Sequence, residues 1–223
     1  MKDFVRKLLD LFFVRRCIVC GKGIDVSADI CLCHDCEIHI GRYGYNISTP
    51  GNETISPLPY MDNIRNAMGR FKFRNKKYLG RTFGELLYRR LSETPWVDDV
   101  DCIVCVPMSG RDRLYNQSAV IACEVSERLD IPFCENALIK VRNNKPFYRL
   151  KYKERLKLIK GAFDVGEDLS FKGKNVLLID DIRTTGITLG ECKRVLLKNG
   201  AVKVYSATVC FGVPKNMNTL NCR

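Results

Sequence analysis

The most pronounced hydrophobic pattern in the chain is a run without alternation. Val176 to Ile179 are four consecutive apolar residues, as expected of a strand buried on both faces of a parallel sheet. Cys102 to Val106, ending at Pro107, repeats the pattern. Residues 131–142, 162–165 and 202–211 read as further strands. Between these runs the apolar positions recur at helical spacing. Ile64, Ala67, Met68 and Phe71 predict a helix that opens at Asp62 and stops near Asn75. Leu79, Phe83, Leu86, Leu87 and Leu91 predict a second over 78–91. Val120, Ile121, Val125 and Leu129 predict a third, opened by Asn116-Gln117-Ser118. A segment turning helical near 150–159 precedes the long apolar run. A last helix, Leu189 to Lys198, closes on the Asn199-Gly200 stop signal. Strands alternating with helices predict an α/β fold, a parallel sheet flanked by helices. Residues 41–60, rich in Gly and Pro, read as a connector. Residues 1–16 read as an amphipathic helix with a broad apolar face, set to pack on the next module or on a membrane or partner surface.

The sequence after the apolar run changes this picture from fold to chemistry. It reads Asp180-Asp181-Ile182-Arg183-Thr184-Thr185-Gly186-Ile187-Thr188, giving the order strand, acidic pair, Thr/Gly loop, helix. A loop at a helix N-terminus offers free backbone N–H groups and the positive end of the helix dipole, which suit a phosphate. Gly186 lets the backbone approach closely, and the threonine hydroxyls add donors. Carboxylates just upstream suit the hydroxyls of a sugar, or a metal, on the same ligand. The second apolar strand runs into a loop with Ser109, Gly110, Arg111 and Arg113. This loop belongs at the same sheet edge, and a bidentate arginine is well suited to pyrophosphate.

Cysteine is abundant, at twelve residues. Cys17 and Cys20 form one CxxC and Cys33 and Cys36 another, twelve residues later. Two knuckles of this spacing make a closed tetrahedral thiolate site for structural Zn²⁺; Cys31 and His34 are competing ligands close by. Cys102, Cys105, Cys123 and Cys210 lie inside apparent core segments, so the cysteines read as cytosolic thiols and metal ligands rather than a disulfide framework. No apolar run reaches the roughly 18–20 residues of a membrane span.

The formal charge is +12 and the pI near 9.2, a balance that favours polyanions. Residues 65–90 hold nine basic residues against Glu85, and residues 140–160 hold nine against Glu154. In the first span FKFRNKK interleaves Lys72, Arg74, Lys76 and Lys77 with aromatic rings. It either follows a phosphate backbone and stacks a base or lays helix ends over the edge of the core. In the second span Lys145, Arg149, Lys151 and Lys153 offer the same chemistry.

The stretch VLLIDDIRTTGITL resembles the phosphoribosyl pyrophosphate (PRPP) loop of type I phosphoribosyltransferases. The order of the whole chain, with the paired CxxC, KFRNKK, the strand-end VP followed by RLYNQ, LKYKERLKLIKGAF and the PRPP loop, resembles the ComF family of competence proteins. In that family the segment after the strand-end proline is RGFNQ-like; here leucine, Leu114, replaces the glycine. The resemblance implies a type I phosphoribosyltransferase-like parallel sheet flanked by helices, with a small N-terminal zinc-ribbon module. The expected organisation is an N-terminal helix and zinc ribbon over 1–50, a connector with basic helices over 51–95, a phosphoribosyltransferase-like domain over 96–213 and a loose tail over 214–223. Thr184 to Thr188 would hold the 5-phosphate, Asp180 and Asp181 the ribose and any catalytic step, with Arg183 beside them, and Arg111 with Arg113 the pyrophosphate of Mg²⁺-bound PRPP. The family also implies a cytoplasmic role in natural transformation, at the inner face of the membrane. Single-stranded DNA and the DNA-translocation machinery would be the partners. A nucleobase-salvage transferase and a non-catalytic PRPP sensor or adaptor stay open as alternatives.

Overall fold

The computed structural model describes residues 15–25, 28–42, 46–47, 54–108, 114–142, 152–167 and 169–213. The helix expected over 1–16 lies outside them apart from Arg15–Arg16, which form a strand, β1. This strand pairs antiparallel with β2 (Gly23–Ile24), and α1 (His34–Arg42) follows.

The apolar run is the central strand of the main sheet. β10 (Asn175–Arg183) lies between β6 (Cys102–Cys105) and β11 (Lys203–Phe211), parallel to both. Beyond β6 lies β7 (Phe133–Cys134). Beyond β11 lie β4 (Thr54–Ile55) and β5 (Leu58–Pro59), both parallel to it, with β3 (Asn46–Ile47) antiparallel to β4. Val176, Leu177, Leu178 and Ile179 are fully buried, as a strand covered on both faces requires. The connector expected over 41–60 therefore supplies sheet edge instead. Its strands are two residues long and interrupted by prolines, which edge strands tolerate and central strands do not; that is why the sequence hides them. Buried hydroxyls fix their register. Thr54 Oγ1 and Ser206 Oγ lie 3.1 Å apart, and Ser56 Oγ and Thr208 Oγ1 2.6 Å apart.

One face of the sheet carries α2 (Asp62–Phe73), α3 (Leu79–Leu91) and α4 (Gln117–Leu129). The other carries α6 (Ile187–Lys198), the hairpin of β8 (Leu138–Lys140) with β9 (Phe163–Val165), and Ile159 at the end of α5 (Tyr152–Ile159). The cysteine module joins the first of these cores: Cys17, Ile18, Cys31 and Leu32 are buried in the same cluster as Phe71, Phe83 and Leu177. Two bonds fix it there. The Cys31 amide donates to Thr82 Oγ1 on α3 at 2.8 Å, and Asn63 Nδ2 on α2 donates to the Val19 carbonyl at 2.9 Å. The apolar cluster thus runs across residues 50/51 and 95/96 without a break. No helix of the described residues is long and apolar enough to cross a membrane.

Helices α3 and α4 approach closely at two glycines one turn apart. A Cβ on Gly80 would lie 2.4 Å from Val120 Cγ1, and one on Gly84 2.4 Å from Glu124 Cβ. Gly84→Ala is expected to separate the two helices and lower stability by about 1–3 kcal/mol. The midpoint of denaturant unfolding measures this, and an unchanged midpoint would mean that the helices pack less tightly in solution.

Candidate phosphoribosyl site and thiolate centre

The sheet makes the first site by letting one strand outrun its neighbour. The ladder between β6 and β10 ends at the pair Cys105 and Ile179, while β10 continues alongside β11 to Arg183 and Phe211. The acidic pair is therefore still in the strand rather than after it, as the sequence suggested. It stands at the C-terminal sheet edge where β6 has turned away, the place where open parallel sheets bind ligands.

The two carboxylates have different partners. Asp180 Oδ1 accepts from Ser118 Oγ at 2.8 Å and from the Asp181 amide at 2.8 Å. Ser118 is placed by the first turn of α4, whose N-cap Asn116 accepts from the Ser118 amide at 3.1 Å and donates to the Val106 carbonyl, also at 3.1 Å. Burial, and after it the charge of Asp181, push the Asp180 carboxyl up to about 7. Asp181 instead takes the ammonium of Lys72, 2.7 Å from its Oδ2, with the side chains only 9% and 12% exposed. Lys72, which the sequence grouped with the nucleic-acid surface, is thus engaged with the acidic pair. Its neighbour Phe71 is buried and pulls that part of α2 inward. The helix end is held there by Tyr115 Oη, which donates to the Phe71 carbonyl, and by Gln117 Nε2, which donates to the Lys72 carbonyl at 3.5 Å. Ser118 and Lys72 partner the acidic pair, a role the sequence did not suggest for either. A serine in the helix turn after a strand-end proline was the only signal for the first, and for the second there was none.

Beyond the acidic pair the chain forms the expected loop. Thr184 and Thr185 are exposed, Thr188 is half-buried, and Gly186 has φ +73 as the N-cap of α6. No side chain caps this helix. Its first backbone bond runs from the Gly190 amide to the Gly186 carbonyl at 2.8 Å, so the preceding amides open the helix as donors without intrahelical partners. Ile187 can offer only its amide, because its side chain is in the core. Arg183 is buried, and that burial lowers its pKa. The far side of the loop borders a 370 Å³ cavity lined by Leu156, Lys160 and Arg194. Arg111 and Arg113 lie outside the described residues, so the structure does not place the expected pyrophosphate contacts. Lys145, Arg149 and Lys151 also lie outside, as does the side chain of Lys153 on α5. Arg74, Lys76 and Lys77 are exposed at the turn between α2 and α3.

The second site is a cluster of thiols. The sulfurs of Cys17, Cys20, Cys33 and Cys36 all lie within 4.8 Å of one another, and those of Cys20 and Cys33 are 3.6 Å apart. A tetrahedral zinc–thiolate centre, with Zn–S of about 2.3 Å, sets sulfurs about 3.8 Å apart, so the donor set and its spacing fit Zn²⁺. Burial pushes the Cys17 and Cys36 thiols up, a state that a bound cation would reverse by taking the thiolates. Cys31 stands apart from the cluster, held at Thr82, and His34 is exposed at the start of α1.

A family model for the phosphoribosyl transferase domain matches residues 85–219. Competence protein F of Haemophilus influenzae is 31% identical over 220 residues, covering 86% of this chain and 95% of that protein. Competence protein ComFC of Bacillus subtilis is 32% identical over 197 residues, covering 86% and 76%. DNA utilization protein YhgH of Salmonella typhi is 25% identical over 209 residues, covering 87% and 89%.

Two variants test the acidic pair. Lys72→Met leaves Asp181 buried without its cation and is expected to cost about 3–5 kcal/mol of stability. Adding Asp181→Asn should recover most of the loss; a second variant that recovers nothing would dissolve the pair. Asp180→Asn tests the raised carboxyl. The folded state favours protonated Asp180, a stability contribution complete below the ordinary carboxylate range and lost as pH rises through about 7. The substitution should therefore stabilise the unliganded protein at pH 8, on the order of 2 kcal/mol, and the gain should vanish toward pH 4. Denaturant unfolding at the two pH values measures it.

Proposed function

The chain belongs to the ComF family of competence proteins and carries a phosphoribosyl transferase domain, and from that premise we propose that it binds Mg²⁺–PRPP and engages single-stranded DNA during DNA uptake. The observation that carries the PRPP part is the adjoining of two ligand surfaces at one sheet edge. The uncapped start of α6, with Thr184, Thr185 and Thr188, suits the 5-phosphate. Asp180 and Asp181, a few residues upstream, suit the ribose hydroxyls and the metal. Lys72, beside Asp181, adds a cation where a pyrophosphorylated ligand is most negative. In this reading Arg111 and Arg113 complete the pyrophosphate contacts, and residues 96–213 carry the ligand while residues 1–50 hold structural zinc.

The names of the relatives, two competence proteins and a DNA utilization protein, support the DNA part, as do the basic residues Arg74, Lys76 and Lys77 exposed on one turn. The protein would act in the cytoplasm, at the inner face of the membrane, where imported strands arrive and the translocation machinery is at hand. If PRPP is consumed, its C1 passes through an oxocarbenium-like state, and the site contributes position and charge rather than a base.

Isothermal titration at pH 8 with Mg²⁺ should give a PRPP isotherm that Asp181→Ala weakens at least about tenfold (roughly 1.4 kcal/mol). No heat at millimolar PRPP would overturn the proposal. Pyrophosphate release on adding an acceptor would distinguish transfer from sensing.

A further inference from the structure

A groove of 640 Å³ lies between the thiolate module and the outward face of α2. Arg16, Cys17 and Gly21 form one wall, so the knuckle that gathers the sulfurs also shapes the groove. Arg65, Arg70 and Arg74 rise from the helix opposite. No residue lining the groove is acidic, and none of the four arginines pairs with a carboxylate among the described residues. Arg70 Nε is buried and makes no hydrogen bond. A desolvated guanidinium donor without an acceptor is costly, and like charges facing across a gap repel; an anion in the groove relieves both.

Two further features keep the groove open. Gly69 stands in the middle of α2, where glycine costs a helix about 1 kcal/mol relative to alanine. A Cβ there would meet nothing within 4 Å, so packing does not demand the glycine; it leaves the floor of the groove clear. At the rim Phe73 exposes 66% of its surface. Basic walls with an exposed ring are the combination that holds unpaired nucleotides, phosphates on the cations and a base on the ring. A duplex offers no free base face.

We propose that this groove is the binding site for single-stranded DNA, with phosphates on Arg16, Arg65, Arg70 and Arg74 and one base stacked on Phe73. The assignment rests on the DNA part of the function proposed above and gives it a location, and it gives the metal module a purpose: zinc holds one wall. Lys72 is not among the residues that line it and is held instead by Asp181, so the groove is separate from the acidic pair.

Fluorescence anisotropy of a labelled oligo-dT on the full zinc-loaded chain tests it. Gly69→Glu puts a carboxylate on the groove floor without a clash and should weaken binding at least tenfold, leaving PRPP affinity and zinc content unchanged. Gly69→Ala should bind like the unaltered chain. Arg70→Gln and Arg74→Gln should each flatten the dependence of log K on log salt by about 0.7. Phe73→Ala should weaken binding roughly fivefold or more while leaving that slope unaltered. Wild-type affinity in both Gly69→Glu and Arg70→Gln would overturn the groove while the DNA reading stands. Equal affinity for duplex would overturn the stacking. No binding by the unaltered chain at low salt would overturn the DNA reading and the groove with it, whereas the PRPP titration would be unaffected.

Discussion

The structure depends on one mismatch of strand length. β10 is buried on both faces for four residues and must therefore be apolar there, yet it extends past the end of β6 by four more, Asp180 to Arg183. Had the two strands ended together, Asp180 and Asp181 would lie in a loop, free to swing. Held in the strand beside β11, they have fixed positions, and past the end of β6 Ser118 bonds to the first and Lys72 pairs with the second. The geometry of the acidic pair is thus set by the sheet, and its charge balance by helices that arrive from elsewhere in the chain.

The same economy appears in the thiolate module. A segment this short cannot bury a core of its own, and here it does not try. Its apolar residues Ile18 and Leu32 merge with those of α2 and α3. Its backbone is hydrogen-bonded to Thr82 and Asn63. Four thiols, two of them with pKa raised by burial, would gain from a bound divalent cation what the small core cannot supply.

Much of this was legible in the sequence, because the signals were local. The unbroken apolar run gave the central strand, the helical spacing of Leu79 to Leu91 gave α3, and the paired CxxC gave the thiolate cluster. The run from Thr184 to Thr188 gave the helix start. What escaped had its cause at a distance. The strands at 54–59 are recognisable only beside β11, since two residues carry no period. Lys72 reads as one more surface cation until Asp181, over a hundred positions away, is brought to it. Ser118 becomes a site residue only once Asn116 has capped its helix.

Helix α2 carries the widest consequence. In sequence Lys72, Phe73 and Arg74 form one basic, aromatic word. A helix turns about 100° per residue, so neighbours in that word face different ways: Lys72 inward to a carboxylate, Phe73 and Arg74 outward to the groove. Under the two binding roles proposed above, stripping charge from the whole stretch at once would disturb the ion pair and the groove together and yield a single ambiguous phenotype. Only substitutions sorted by helical face, rather than by run, can tell the handling of a sugar phosphate from the handling of a strand.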